Sequence, residues 1–250
     1  MLGSGTSSGV PRVDGNWGRC DPLDPKNRRR RVSIMVEHGP TRILVDTSPD
    51  LRAQLLDEGG GRPTAVIWTH EHADHCHGID DLRPFYFYGK APIAGYARER
   101  TQAELKLRFA FAFAGHGGYP PFMRCDRLPD SMTIGDVEVR SVELPHGRIT
   151  STGLRFDAGG RSLAYFTDFN ELPVDAAQLV EGIDCWIVDA VRRESHPTHP
   201  DLGKTLRWID AARPKRAVLT HMDQSMDYAT LCDELPPGVE PGYDMMSITL

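Results

Sequence analysis

Three histidines and one aspartate that could bind metal ions lie within six consecutive residues. His70, His72, Asp74 and His75 form the pattern His-x-His-x-Asp-His. Helical neighbours lie three or four residues apart, so these side chains cannot all share one helix face. In an irregular loop, His70 and His72 can point one way while Asp74 and His75 point another, which suits two adjacent metal ions. Imidazole and carboxylate are ligands typical of zinc, manganese or iron.

A buried β-strand is predicted immediately before this loop. Residues 65–68 are apolar and rich in strand-forming side chains, and the run is short enough for one strand. The candidate ligands would then follow the carboxyl end of that strand. The alternative is a polar surface loop that is rich in histidine by chance. The order of ligand types directly after an apolar strand favours the metal site.

The length and composition indicate one large domain spanning residues 1–250, because no linker-like change in composition divides the chain. The net charge of −6 gives no general reason to expect nucleic acid, although residues 26–31 are basic. Five cysteines without a CxxC pair argue against a disulfide framework. No export signal and no segment long enough to span a bilayer are evident, so we expect a cytoplasmic protein.

Two further residues of ligand type follow predicted strands. The alternating pattern of residues 137–144 stops at His146, and residues 161–167 form the second half of a predicted hairpin that ends at Asp168. A lone histidine at a turn is more often structural than metal-binding. His146 is therefore a candidate metal ligand only because the loop at residues 70–75 already predicts a metal site.

The loop pattern, with the trailing Gly78, resembles the signature of the metallo-β-lactamase-fold hydrolases. The resemblance implies an α/β (α+β) fold, a four-layered αββα sandwich with a dinuclear site at one edge. It implies a complete set of seven ligands: His70, His72 and His146 for one metal, Asp74, His75 and His221 for the other, and Asp168 shared by both. It also implies that Asp46 orients the ligand loop without binding metal. A carboxylate at this position could equally cap a helix predicted at residues 49–58.

The opening residues 2–11 resemble one branch of this superfamily, the phosphoribosyl 1,2-cyclic phosphate phosphodiesterase-like proteins, in which this glycine-rich loop lies near the active site. The sequence His196-Pro-Thr-His199 resembles the segment in which that branch places a histidine over the substrate. His199 is the better candidate for this role and His196 the weaker one, and either could merely hydrogen-bond the loop. Residues 12–31 form a polar insertion. Several relatives bind a separate structural zinc through several cysteines there, whereas this insertion contains only Cys20, so we expect no such site.

The resemblance implies two divalent metal ions, zinc or manganese, and a small phosphodiester substrate. The hypothesis is that metal-bound hydroxide attacks the phosphorus of a cyclic phosphate ester of ribose or of a nucleotide. Asp74 would also orient the nucleophile, and His199 would protonate the departing oxygen. We expect no membrane partner and no nucleic-acid partner. The arginines at 28–31 could hold substrate phosphate or simply form a solvated face.

A ribonuclease Z-like RNA-processing endonuclease is the alternative function, because it shares the fold, the metals and the phosphodiester chemistry. It normally carries an extended basic arm, and no such insertion is evident. A thioesterase resembling glyoxalase II fits the opening loop less well. A homodimer stays open, with Phe109, Phe111 and Phe113 expected in the core or in a dimer contact.

The remaining elements are predicted from hydrophobic periodicity and turn residues. A hairpin is expected at 32–46, helices are expected at 97–111 and 202–212, and further strands are expected at 152–156, 184–190, 215–221 and 241–250.

Overall fold

The first of two sheets contains five strands. In a computed structural model that describes residues 1–250, these strands are β1 (Ile34–His38), β2 (Thr41–Val45), β3 (Ala65–Ile67), β4 (Ile93–Ala97) and β5 (Met123–Arg127). They lie side by side in chain order. The β1–β2 pair is antiparallel, and every later pair is parallel.

The second sheet contains seven strands: β6 (Ser131–Ile134), β7 (Val137–His146), β8 (Ile149–Ala158), β9 (Arg161–Phe166), β10 (Cys185–Asp189), β11 (Arg216–Thr220) and β12 (Val239–Pro241). Their order is β12-β11-β10-β9-β8-β7-β6. Strands β9 to β12 are parallel, whereas β6 to β9 form antiparallel pairs. The carboxyl ends of β9, β10 and β11 therefore meet at one edge.

Helices cover the outer face of each sheet. The first half of the chain supplies α1 (Leu51–Asp57), α2 (Ala73–Cys76), α3 (Arg83–Gly89), α4 (Glu99–Arg108) and α5 (Ala110–Ala114), and the second half supplies α6 (Val174–Val180), α7 (Leu202–Ala212) and α8 (Tyr228–Glu234). One apolar core lies between the sheets and one lies under each helical layer. The predicted αββα sandwich is confirmed. None of the helices combines the length and apolar character that crossing a membrane requires.

The apolar run before the ligand loop serves two cores at once. Ala65 and Ile67 pack between the sheets, whereas Val66 and Trp68 pack under the helices of the first layer. Alternate side chains of a strand point to opposite faces, so a strand covered on both sides must be apolar at every position. This double burial fixes the point at which the ligand loop begins.

Two element predictions were wrong in detail. The helix predicted at 97–111 is interrupted, because Ala97 ends β4 and Phe109 leaves helical geometry between α4 and α5. The strand predicted at 241–250 stops at Pro241. Beyond it, the Asp244 carboxylate accepts hydrogen bonds from the backbone N–H groups of Ser4 and Arg30. These side-chain contacts replace a strand ladder there.

The basic run at 28–31 is largely paired within the fold. Arg29 is buried and donates to the Met226 carbonyl at 2.6 Å. Arg30 donates to the Asp57 carboxylate at 2.5 Å, and the Arg31 Nε lies 3.0 Å from Asp50 Oδ2. Three of these arginines therefore help to fix the insertion at 12–31 against the rest of the protein.

Asp227 anchors the same insertion at the start of α8. Its carboxylate accepts from the Thr230 N–H at 2.9 Å, the Asp21 N–H at 3.1 Å and the Asn27 side-chain amide at 2.7 Å. Burial opposes ionisation, but these donors outweigh it and lower the pKa of Asp227 from 3.8 to about 2.

Replacing Asp227 by alanine should lower the free energy of unfolding by about 1–2 kcal/mol, because a helix cap and two anchoring hydrogen bonds are lost. Urea unfolding near neutral pH measures the difference. Its pH dependence follows from the depressed pKa: the contribution is complete above 3.8 and disappears as the pH falls toward about 2. An alanine variant as stable as the wild type near neutral pH would contradict this role.

Candidate metal centre

The candidate ligands collect where strands from both sheets end. His70 lies just after β3, and His146 is the last residue of β7. Asp168 and His221 lie just after β9 and β11, which both pair in parallel with β10. Helix α2 begins directly after His72. Residues far apart in sequence are thus brought together by the convergence of strand ends.

One group of four side chains surrounds the first candidate position. His70, His72, His146 and Asp168 place one potential ligand atom each within 4.8 Å of one another. The Oδ2 atom of Asp168 lies 3.6 Å from His70 Nε2 and 3.7 Å from His146 Nε2. These separations match atoms that face a common centre.

A second group shares the same aspartate. Asp74, His75, His221 and Asp168 also lie within 4.8 Å of one another. Here the other oxygen of Asp168, Oδ1, lies 3.2 Å from His75 Nε2 and 3.3 Å from His221 Nε2. Each oxygen of one buried carboxylate therefore faces a different group of imidazoles, which is the arrangement expected for a carboxylate between two cations.

The chemistry of these groups fits two divalent metal ions. The Nε2 atoms of His70, His75 and His221 are buried and have no hydrogen-bond partner. Buried polar atoms are normally paired, so three unpaired nitrogens at one place indicate ligands for a cation. Nitrogen and oxygen donors without sulfur suit zinc or manganese.

Hydrogen bonds outside the cluster orient its imidazoles. Asp46 accepts from the Thr69 N–H at 2.8 Å and from the Thr69 hydroxyl at 2.8 Å, and its Oδ2 lies 2.7 Å from His75 Nδ1. The Thr198 carbonyl, which can only accept, lies 3.0 Å from His146 Nδ1. Nδ1 therefore carries the proton in His146, and its Nε2 lone pair faces the cluster.

Three residues at this edge have left-handed backbone conformations. Asp46, Asp168 and His221 have φ angles of 63°, 55° and 58°. Such values are uncommon outside glycine and cost free energy that the surrounding fold must offset. Each residue lies within two positions of a strand end; the sharp turn directs Asp168 and His221 into the cluster and Asp46 toward His75 Nδ1.

Asp189 is a site residue that the sequence analysis missed. It ends β10 and is fully buried. Its Oδ2 accepts from the Asp168 N–H at 3.0 Å and lies 2.7 Å from His199 Nδ1. One feature of the sequence could have identified it. Asp189 ends a predicted buried strand, and the strands before and after it in the chain both lead to predicted ligands.

The two histidines of the 196–199 segment have different positions. His199 is buried, stacks on His221 with ring centroids 4.7 Å apart, and places Nε2 3.8 Å from Asp168 Oδ2. His196 is partly exposed and belongs to neither ligand group; its Nδ1 accepts from the Thr198 N–H at 3.2 Å. Only His199 reaches the cluster, and the His196 ring packs edge-on against His199 with the two centroids 4.9 Å apart.

Metal affinity should rise with pH up to about 9. Burial disfavours the charged form of His221, but Asp168, Asp74 and Asp189 outweigh this effect and raise its pKa from 6.5 to about 9. A metal ion must displace that proton, so affinity should increase across this range. Calorimetric titration with zinc or manganese in buffers of different protonation enthalpy would count the released protons. Affinity that does not vary with pH would contradict the assignment of His221 as a ligand.

Glu71, between the two histidines of the first group, fastens the ligand loop to α4. Its buried carboxylate accepts from Arg100 Nε at 2.8 Å and from the Thr101 hydroxyl at 2.9 Å. Its carbonyl accepts from Arg108 Nη1 at 2.7 Å. Both the side chain and the backbone between His70 and His72 are therefore held by one helix.

Replacing Glu71 by alanine should weaken metal binding about tenfold or more, because groups that orient metal ligands typically contribute that much. Competition with a chelator measures the affinity, and circular dichroism checks that the fold is retained. Glu99→Ala is the matched control, since Glu99 is an exposed glutamate of the same helix that makes no ion pair and no side-chain hydrogen bond. Equal affinities for the two variants would disprove the role of Glu71.

Similar proteins place this geometry in a known family. Residues 41–222 match the beta-lactamase superfamily domain. The crystal structure of a diphosphatase from the PhnP family is 32% identical in sequence to this chain, with a TM-score of 0.90. The alignment covers 100% of this chain and 96% of the diphosphatase chain. Zinc-bound PqqB from Methylobacterium extorquens is 19% identical in sequence and has the same fold, with a TM-score of 0.79. The alignment covers 100% of this chain and 98% of the PqqB chain.

Among curated proteins, an octanoyltransferase from Porphyromonas gingivalis is 30% identical over 253 residues. The match includes 98% of this chain but 50% of that protein, so the chain spans about half the length of this relative. The family assignment rests on the domain match, which includes the ligand loop and all seven predicted ligands. The chain belongs to the beta-lactamase superfamily, as the pattern of residues 70–75 predicts.

Proposed function

We propose that the protein is a dinuclear metal-dependent phosphodiesterase that hydrolyses a small cyclic phosphate ester of ribose or of a nucleotide. The observation that carries the proposal is the placement of Asp168, whose two oxygens face two separate groups of imidazoles. Two divalent cations bound there would lower the pKa of water and offset negative charge on phosphoryl oxygens. Zinc and manganese both suit these donors, and the similar fold of zinc-bound PqqB supports zinc.

In this proposal Asp74 has two tasks. Its Oδ2 faces His75 Nε2 at 3.4 Å and His221 Nε2 at 3.6 Å, as a ligand of the second cation would. Its other oxygen has no partner in the fold and could accept a hydrogen bond from the attacking water. That bond would direct a lone pair of the water oxygen toward phosphorus.

His199 would protonate the departing oxygen. Asp189 accepts from its Nδ1 at 2.7 Å and thereby directs Nε2 toward the cluster. As the water oxygen bonds to phosphorus and the bond to the ribose oxygen breaks, a proton from Nε2 would neutralise the leaving alkoxide. The stacking on His221 holds the ring in this orientation.

A diphosphate is the second candidate substrate. The observation that favours it is the full-length similarity to a diphosphatase of the PhnP family. A diphosphate bond and a cyclic ester both present a phosphorus atom with an oxygen leaving group, so the same residues could serve either reaction. The two substrates would differ in the groups attached to phosphorus, which the residues around the candidate metal centre must accommodate.

The test is a panel of substrates with metal-loaded protein: phosphoribosyl 1,2-cyclic phosphate, adenosine 2′,3′-cyclic phosphate, ADP-ribose and a precursor transfer RNA. We expect rapid cleavage of a cyclic phosphate. His199→Ala should lower kcat about 10²–10⁴-fold while leaving the metal content unchanged. Asp74→Ala should reduce both activity and bound metal, and the exposed His38→Ala serves as the control.

A change of leaving group separates acid catalysis from simple positioning. Nitrophenolate departs without a proton, so His199→Ala should impair hydrolysis of bis(p-nitrophenyl) phosphate far less than hydrolysis of the ribose ester. Equal losses with both substrates would contradict the role of His199 as an acid. Cleavage of ADP-ribose alone would favour the diphosphate, and cleavage of transfer RNA alone would indicate the ribonuclease Z-like alternative.

A further inference from the structure

Thr47 is a buried residue that binds the end of helix α2 and has no role in the chemistry proposed above. It directly follows Asp46 and is fully buried. Its N–H donates to the His75 carbonyl at 2.8 Å, and its carbonyl accepts from the Gly78 N–H at 2.9 Å. Its hydroxyl donates to the Cys76 carbonyl at 3.2 Å. The backbone and the side chain of one residue thus hold the segment that carries ligands of the second group.

The Thr47 hydroxyl is itself held by Trp68. The indole Nε1–H donates to Thr47 Oγ1 at 2.9 Å, and the hydroxyl proton is therefore left for the Cys76 carbonyl. The Trp68 N–H donates to the Tyr96 carbonyl of β4 at 3.0 Å. The indole also packs on Gly95, where an added β-carbon would lie 2.5 Å from the ring. Thr47 is thereby fixed to the middle of the first sheet.

The trailing Gly78 of the loop pattern permits this close approach. A β-carbon on Gly78 would lie 2.0 Å from the Ser48 carbonyl oxygen and 2.8 Å from the Leu51 β-carbon. Both distances are far shorter than van der Waals contact, so any larger residue would push the end of α2 away from the turn that contains Thr47. Gly78 has a φ angle of −87°, so the need for glycine comes from this contact and not from a left-handed backbone.

The two halves of the ligand loop are attached to different elements. Helix α4 holds the first half through Glu71. The turn after β2 holds the second half, because Asp46 lies 2.7 Å from His75 Nδ1 and Thr47 binds the backbone of the same histidine. Asp74 lies in the same short helix as His75. The position of this helix therefore sets the position of both ligands.

Resting on the dinuclear function proposed above, we propose that Thr47 is a positioning residue for the second metal position, and that Glu71 and Thr47 support the two metal positions separately. Loss of the Thr47 hydroxyl would leave the Trp68 Nε1–H and the Cys76 carbonyl buried without partners, which is unfavourable. The end of α2 would then shift, and the two ligands that it carries would move with it. Partners that orient metal ligands typically contribute about ten- to a hundredfold in metal affinity.

Thr47→Val tests the proposal, because valine has nearly the shape of threonine but no hydroxyl. The affinity for zinc is measured by competition with a chelator in two backgrounds. His72→Ala impairs the first position, so the bound zinc reports the second position, and Asp74→Ala does the reverse. Adding Thr47→Val should lower the zinc affinity about tenfold or more in the His72→Ala background. It should leave the affinity unchanged in the Asp74→Ala background.

Thr47→Ser is the matched control, because serine keeps the hydroxyl, and it should retain the zinc affinity of each background. Glu71→Ala should show the opposite pattern, with its loss of affinity in the Asp74→Ala background. Equal losses for Thr47→Val in the two backgrounds would reveal a general effect on the fold and overturn the proposal. An unchanged affinity in the His72→Ala background would overturn it as well.

Hydrogen exchange tests the same contacts without a substitution. In metal-free wild-type protein, the N–H groups of Thr47 and Gly78 should exchange as slowly as those of β3, because both are held by buried hydrogen bonds. Rapid exchange of both would overturn the proposal, since α2 would then not be held by Thr47. A selective loss of zinc affinity without hydrolysis of any cyclic phosphate would support the role of Thr47 and overturn the proposed reaction.

Discussion

The placement of one buried carboxylate among five imidazoles governs the arrangement of the whole edge. Asp168 faces His70 and His146 with one oxygen and His75 and His221 with the other, while His199 approaches from the side. So many buried polar groups around one point would be costly without compensating charge. The two sheets, through the ends of β3, β7, β9 and β11, hold these groups close together against that cost.

The backbone at this edge is strained at the residues that hold the clustered side chains together. Three residues at or next to strand ends have positive φ angles, and two of them, Asp168 and His221, face the cluster itself. If the strands continued with regular geometry, these side chains would point to one of the two sheet faces and not into the cluster, because successive residues alternate between sheet faces. The doubly buried strands before them supply the apolar packing that stabilises the turn.

Most of the fold and of the cluster could be predicted from the sequence, for a physical reason. The ligand loop is local, and its position after an apolar strand is visible in residues 65–75. His221 could be assigned only through the family resemblance. Asp189 escaped because a strand-end aspartate usually caps a turn, and only the parallel pairing of β10 shows what it contacts. The break at Phe109 and the unpaired segment after Pro241 depend on tertiary contacts that periodicity does not report.

The Thr198 carbonyl that holds His146 belongs to the loop that also carries His199. The orientation of one candidate metal ligand and the position of the proposed proton donor are thus linked through the single peptide unit that joins Thr198 to His199. A change in the backbone of this loop would move the hydrogen-bond acceptor of His146 Nδ1 and so reorient an imidazole of the candidate metal centre. The loop is therefore a poor place for gradual diversification, because a single change there would alter both groups at once.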